Sequence, residues 1–110
     1  MVTGQHESAD VFRALADPTR RAILDALRVG KQPVGRIARG FPVSRPAISK
    51  HLRVLREADL VTEHKEGRQR ICALNVKPLR RVDDWLNDYR QFWAGKLQRL
   101  KRYVESQPEE

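Results

Sequence analysis

Between Ser44 and Arg53 the chain reads SRPAISKHLR, which sets Arg45, Ser49 and Arg53 at intervals of four with Lys50 beside the middle one. Guanidinium and ammonium groups only donate hydrogen bonds, while a hydroxyl both donates and accepts. Such a row can bind phosphate oxygens or the O6 and N7 acceptors of guanine, and an apolar neighbour such as Pro46 can meet a thymine methyl. A second set, Lys65, Arg68 and Arg70, surrounds Gly67 in KEGRQR. The chemistry available to both sets is recognition of a polyanion, not the making or breaking of bonds.

Catalysis finds no foothold elsewhere in the chain. There is no glycine-rich phosphate loop and no nucleophile with a positioned base, and His6, His51 and His64 share no metal-ligand spacing. His51 falls among apolar residues on a helical wheel, so it reads as a satisfied, partly buried imidazole. Cys72 is the one cysteine, which forbids an intramolecular disulfide, and it reads as a small buried hydrophobe. Asp83, Asp84 and Asp88 lie close to Arg80, Arg81 and Arg90 and read as surface ion pairs. Neither a metal nor any other cofactor is expected.

These donors need elements to hold them. In VFRALA the spacing of Val11, Phe12, Leu15 and Ala16 is helical; Asp17 can cap a second helix with Pro18 in its first turn, and Ile23, Leu24 and Leu27 face inward. QPVGRIARGF reads as a short third helix stopped at Gly40. From Ser44, a good N-cap, a wheel at 100° per residue puts Ala47, Ile48, His51, Leu52, Val54, Leu55 and Ala58 on one face. Arg45, Pro46, Ser49, Lys50, Arg53, Arg56 and Glu57 fall on the other. One face meets the core, and the other is left for an anion.

The period then changes. Leu60 to Lys65 and Gln69 to Leu74 read as two short strands joined at Glu66-Gly67-Arg68, a hairpin with a basic tip. After Pro78 a helical pattern of about 28 residues runs to Glu105. It carries Trp85, Leu86, Tyr89, Phe92, Trp93, Leu97 and Leu100, more apolar surface than a small body can cover. Part of it, with Val11, Phe12 and Leu15 from the first helix, is expected to meet a second copy.

Size and charge agree with that reading. A chain of 110 residues has a thin core unless a partner shares it. Ten basic residues against four acids lie between Lys31 and Arg70, so +6 of the formal +8 is concentrated there. A polyanion is the favoured partner. No apolar run approaches the roughly 20 residues that cross a bilayer, and MVTGQHESAD lacks the apolar stretch of a signal peptide. No membrane partner is expected, and the expected location is the cytoplasm, on the nucleoid.

With the elements in this order, FRALADPTRRAILDAL, VSRPAISKHLRVLREADLV and EGRQR resemble the ArsR-type bacterial transcriptional repressors over about Val11 to Asn75. The resemblance implies a mainly α fold with a small β-hairpin wing (α+β), a winged helix-turn-helix with a long C-terminal dimerisation helix. One domain is expected over residues 9–106, between a flexible tail at 1–8 and a polar tail at 107–110. The resemblance also implies a homodimer that binds a double-stranded operator of two half-sites, often represses its own operon, and is not an enzyme. The positions expected at DNA are Ser44, Arg45, Pro46, Ser49, Lys50 and Arg53 on the recognition helix and Lys65, Arg68 and Arg70 on the wing.

Metal-sensing members of that family carry a Cys-x-Cys element near the recognition region or paired His and Asp ligands on the last helix. This chain has GRIARGF in the first place and no His after His64, and its Trp85 to Trp93 aromatics resemble the non-metal, autorepressor-like branch. The sequence leaves open a small-molecule inducer, the operator, and repression against activation. Two alternatives stay beside the reading: non-specific DNA binding, and a winged helix that contacts proteins.

Overall fold

Asp17 divides the first two helices, α1 (residues 10–15) and α2 (Pro18–Leu27). The computed structural model describes residues 10–107; the tail expected at 1–8, the domain start at residue 9 and residues 108–110 of the expected C-terminal tail lie outside them. Asp17 is extended at φ −97°, and its carboxylate accepts the Arg20 backbone N–H at 3.0 Å. That bond satisfies one of the unpaired donors of the first turn and pulls the Asp17 pKa below the usual carboxylate value. The two arginines that follow close the corner from the other side. Arg20 donates to the carbonyls of Ala14 (2.8 Å) and Arg13 (3.0 Å), and Arg21 to that of Leu15 (2.8 Å). Carbonyls at the end of α1 thereby find partners in the ADPTRR segment itself.

Beyond α2 come β1 (Gln32–Pro33), α3 (Val34–Arg39) and α4 (Arg45–Glu57). Ser44 caps α4 by accepting the Ala47 N–H at 3.2 Å, and Pro46 sits in the first turn, where its missing N–H removes no helical bond. At the far end of α4, Asp59 takes a left-handed φ of 60°, and the Asp59 and Leu60 N–H groups return to the Arg56 and Leu55 carbonyls, both at 2.9 Å. This is a Schellman ending with aspartate where glycine is usual. Asn75 secures it, its side-chain amide donating to the Asp59 carbonyl at 2.8 Å.

The turn sends the chain into β2 (Val61–Glu66) and back along β3 (Gln69–Leu74), antiparallel, with Glu66 opposite Gln69. Gly67, at φ 65°, takes the positive φ that a two-residue hairpin turn demands at its first central position. The sheet has three strands rather than the two expected, in the order β1-β3-β2. Gln32 and Pro33 pair with Cys72 and Ile71. Two residues are too short to show a period of two, and Pro33 cannot donate to a ladder, which suits an edge strand. The third helix accordingly begins at Val34, and the first hairpin strand at Val61 instead of Leu60.

One core joins these pieces. Ile23 and Leu27 of α2, Ile37 of α3, Ile48, Leu52 and Leu55 of α4, Leu60, Val61 and Cys72 are all buried in a single cluster. Val11, expected at an interface between copies, is fully enclosed within its own subunit and has no surface to offer another chain. Leu15 is half-buried against the same core. His51 lies at the edge of that core, its Nδ1 3.3 Å from an Arg20 nitrogen and 3.9 Å from the Asp17 carboxylate.

The last helix, α5 (Leu79–Ser106), has 28 residues and buries none of them. Leu79 packs on the core and the Trp85 ring meets Phe12 edge-on at a centroid distance of 5.6 Å. Further along, Phe92, Leu97 and Tyr103 each keep more than 60 % of their surface in solvent. The radius of gyration, 19.3 Å, is far above the roughly 13 Å of a compact chain of about 100 residues. A long helix standing off a small body accounts for the difference.

Candidate nucleic-acid interface

The body holds α4 by one face and presents the other. Ile48, Leu52 and Leu55 are buried, while Ser44, Arg45, Pro46, Ser49, Lys50 and Arg53 are all exposed. The core side fixes the rotation of the helix, so the bases of these side chains all lie on one face while their tips keep their freedom. Of these side chains, Arg53 lies 3.5 Å from Glu57 one turn on, at the surface, where such pairs contribute little. Arg45 and Lys50 have no hydrogen bond or ion pair with any described residue. Both cations are held in solvent.

The hairpin is tied down by ion pairs at its root and beside its tip. Glu63 accepts from Arg56 of α4 at 3.0 Å and lies 3.8 Å from Arg70, so helix and wing share one carboxylate. Glu66, next to the turn, lies 2.7 Å from His64 and 2.9 Å from Lys31, and the bonds to these two neighbours hold its pKa below the usual value. Lys65 and Arg68 are left exposed and without a partner among the described residues. The wing tip is positioned by its acids and remains positive.

Between α3, α4 and the hairpin runs a groove of about 530 Å³ lined by Arg36, Arg39, Arg45, Ser49, Arg68 and Arg70, with Pro33 to Gly35 and Gln69 on its walls. Arg45, Ser49, Arg68 and Arg70 are among the residues that the sequence leads one to expect at DNA. Arg36 and Arg39 were not singled out, although the charge concentrated between Lys31 and Arg70 already included them. The signal that could have found them is the i, i+3 spacing of Arg36 and Arg39, which puts both on one side of a short helix. A second, more open concavity follows Pro46, Ala47, Ser49, Lys50 and Arg53 along α4.

The residues expected to meet a second copy divide by exposure. Trp85, Tyr89, Phe92, Trp93, Leu97 and Leu100 are exposed along α5, where the rings of Trp85, Tyr89 and Phe92 meet in tilted contacts at centroid distances of 5.1 and 6.4 Å. Leu86 and Phe12 are half-buried. No group of three or more His, Cys, Asp or Glu side chains suited to a metal ion occurs among the described residues. No helix among the described residues is long and apolar enough to cross a membrane.

A helix-turn-helix domain family model matches residues 15–64, the stretch from the end of α1 into β2. The HTH-type transcriptional regulator Rv2034 of Mycobacterium tuberculosis is 40% identical over 96 residues, covering 87% of this chain and 87% of that protein. The transcriptional repressor SdpR of Bacillus subtilis is 39% identical over 80 residues, 73% of this chain and 89% of its own length. Among solved structures, an ArsR family transcriptional regulator, RHA00566, superposes with a TM-score of 0.73 at 36% identity, covering 82% of this chain and 93% of that one. The chain belongs to the ArsR family of transcriptional regulators. An ArsR-like regulator from Rhodococcus sp. RHA1 extends the likeness to 94% of this chain and 98% of that one, with a TM-score of 0.69 at 35% identity. Within the ArsR fold, α3 and α4 are the helix-turn-helix, the hairpin is the wing, and the long final helix is in its expected place. These relatives are transcriptional regulators with helix-turn-helix domains and not enzymes.

Proposed function

We propose that this ArsR-family regulator represses transcription as a homodimer whose two α4 helices enter successive major grooves of an inverted-repeat operator. The observation that carries the reading is the division of α4 into a buried apolar face and an exposed polar face on which Arg45 and Lys50 have no partner among the described residues. Arg45 and Lys50 are suited to the O6 and N7 atoms of guanine, Ser49 to a base edge or phosphate, and Pro46 to a thymine methyl. Lys65, Arg68 and Arg70 serve the flanking backbone, and Arg53 a phosphate beside the helix. The second subunit covers the exposed apolar stripe of α5 and sets the two recognition helices about one turn of DNA apart.

Repression takes support from SdpR, which is named a transcriptional repressor. The regulator is assigned to the branch without metal sensing. Its single cysteine is fully buried on β3, and among the described residues no group of three or more His, Cys, Asp or Glu side chains stands ready to share a metal ion with it.

The test is fluorescence anisotropy on the DNA upstream of the protein's own gene, against a shuffled duplex, across a salt series. Preference for the upstream DNA that persists at moderate salt is the expected outcome. Lys50→Ala should narrow that preference by about 1–3 kcal/mol, the value of a good base contact. Arg68→Ala should weaken both duplexes alike. Equal binding of both duplexes by the parent protein would reject this upstream segment as the operator, and loss of folding in both variants would reject the residue roles.

A further inference from the structure

We propose that the groove between α3, α4 and the wing is a backbone clamp, in which Arg36 and Arg39 of α3 hold phosphates of the DNA strand that passes between recognition helix and wing. The inference rests on the DNA-binding reading above and adds to it two residues outside both the recognition helix and the hairpin.

A duplex whose major groove contains α4 and whose neighbouring minor groove faces the wing has one phosphate strand running between those two elements. In this chain the space between them is not a flat surface but the 530 Å³ groove. Five of its ten lining residues are arginines, and none is acidic. Glu63, the nearest described carboxylate to that set, lies 3.8 Å from Arg70 and is otherwise engaged with Arg56. Arg36, Arg39, Arg45 and Arg68 have no hydrogen bond or ion pair with any described residue. Like charges gathered without counter-charge repel one another, a cost that a bound anion removes.

The floor of the groove suits a strand of backbone. Gly35 presents no side chain there, and a methyl group at that position would stand 3.7 Å from the Arg39 guanidinium. Arg36 and Arg39 come from a helix anchored by the buried Ile37 between them, so their bases are fixed while their tips are free. Guanidinium forks match phosphate oxygens in pairs, which makes arginine rather than lysine the fitting residue. Contacts to phosphate carry no base information, so the clamp sets register and depth of insertion while α4 reads the sequence.

The experiment compares the parent protein with the Arg36→Ala/Arg39→Ala double variant on operator and shuffled duplexes from 50 to 300 mM salt, chosen as about the range where counterion release is measurable. Each lost phosphate contact should lower the magnitude of the log-log salt slope by about 0.9, so about 3.6 for the four arginines removed from a dimer. Affinity at low salt should fall roughly tenfold or more for both duplexes, with the ratio between them unchanged. An unchanged slope overturns the clamp while leaving the DNA-binding reading intact. Failure of the parent to bind any duplex overturns that reading itself. The Arg36→Lys/Arg39→Lys variant keeps the charge and guards against misfolding; it should retain most of the slope but lose part of the affinity. Inorganic pyrophosphate titrated against the protein without DNA separates a strand from a free ligand: micromolar binding abolished in the alanine variant would make the groove a site for small phosphate anhydrides and would overturn the assignment to backbone.

Discussion

Helices α4 and α5 are built on the same amphipathic principle and end in opposite conditions. α4 has 13 residues and buries Ile48, Leu52 and Leu55; α5 has 28 and buries none, although it carries the larger apolar stripe. On α4 the exposed face is the charged one, with Arg45 and Lys50 unpaired. On α5 it is the apolar one, with Trp85, Phe92, Trp93 and Leu97 each at least half exposed. An amphipathic pattern therefore states that two environments are needed: water already serves the charged face of α4, whereas the apolar stripe of α5 still lacks a cover. Polyanion is the complement of the first, and a second apolar surface of the second.

The largest effect should come from denying α5 its partner. Phe92→Glu with Leu97→Glu places two carboxylates on the exposed stripe, where neither touches the core of the subunit. Sedimentation should report a monomer, and affinity for the operator should fall by about two orders of magnitude or more, because two linked half-sites become two independent weak ones. Circular dichroism of the body should be nearly unchanged. A dimer that persisted would break the comparison at its α5 side. Leu52→Ala probes the other side: it removes a side chain with 1% exposure and should cost about 2–5 kcal/mol in denaturant unfolding. In contrast to the α5 variant, its effect on DNA binding should track the folded fraction.

Most of this contrast is legible in the residues themselves. The period of α4, the Ser44 cap, the turn at Gly67 and the end of the long helix follow from short-range rules of capping, glycine conformation and apolar spacing. What local pattern does not carry is any feature made between distant segments. The pairing of Gln32 and Pro33 with β3 joins residues some forty positions apart and leaves no periodicity of its own. Val11 has the apolar character expected of an interface, yet it is spent on the subunit's own core, because α1 is fastened across it by Arg20 and Arg21. Arg36 and Arg39 were visible as charge but not as part of a groove, since its opposite wall comes from the hairpin. The Asp59 left-handed turn is a further case: nothing in READL marks the aspartate until the Asn75 amide is seen holding its carbonyl.

Cys72 allows the closed side of the comparison to be sharpened with the smallest perturbation. It lies on β3 with no solvent exposure, its Sγ 3.8 Å from a Glu63 oxygen, in the layer where the sheet meets α2 and α4. Burial and the Glu63 carboxylate raise its pKa from an ordinary 9.0 to about 11. A raised thiol pKa means that the folded state favours the proton more than the unfolded chain does. Stability from this group is therefore complete below pH 9.0 and declines as pH rises toward about 11, the thiolate being better tolerated in the unfolded chain. The corresponding kinetic expectation is easier to measure. Thiol-reactive probes at pH 8 should modify Cys72 at a rate set by opening of the core, roughly a thousandfold or more below that of the denatured protein for a fold of ordinary stability. The α5 variant should leave that rate unchanged, while Leu52→Ala should raise it about tenfold for each 1.4 kcal/mol of stability lost. Acceleration of Cys72 labelling by the α5 substitutions instead would mean that the two regions are energetically one, and that the body depends on its partner for more than DNA affinity.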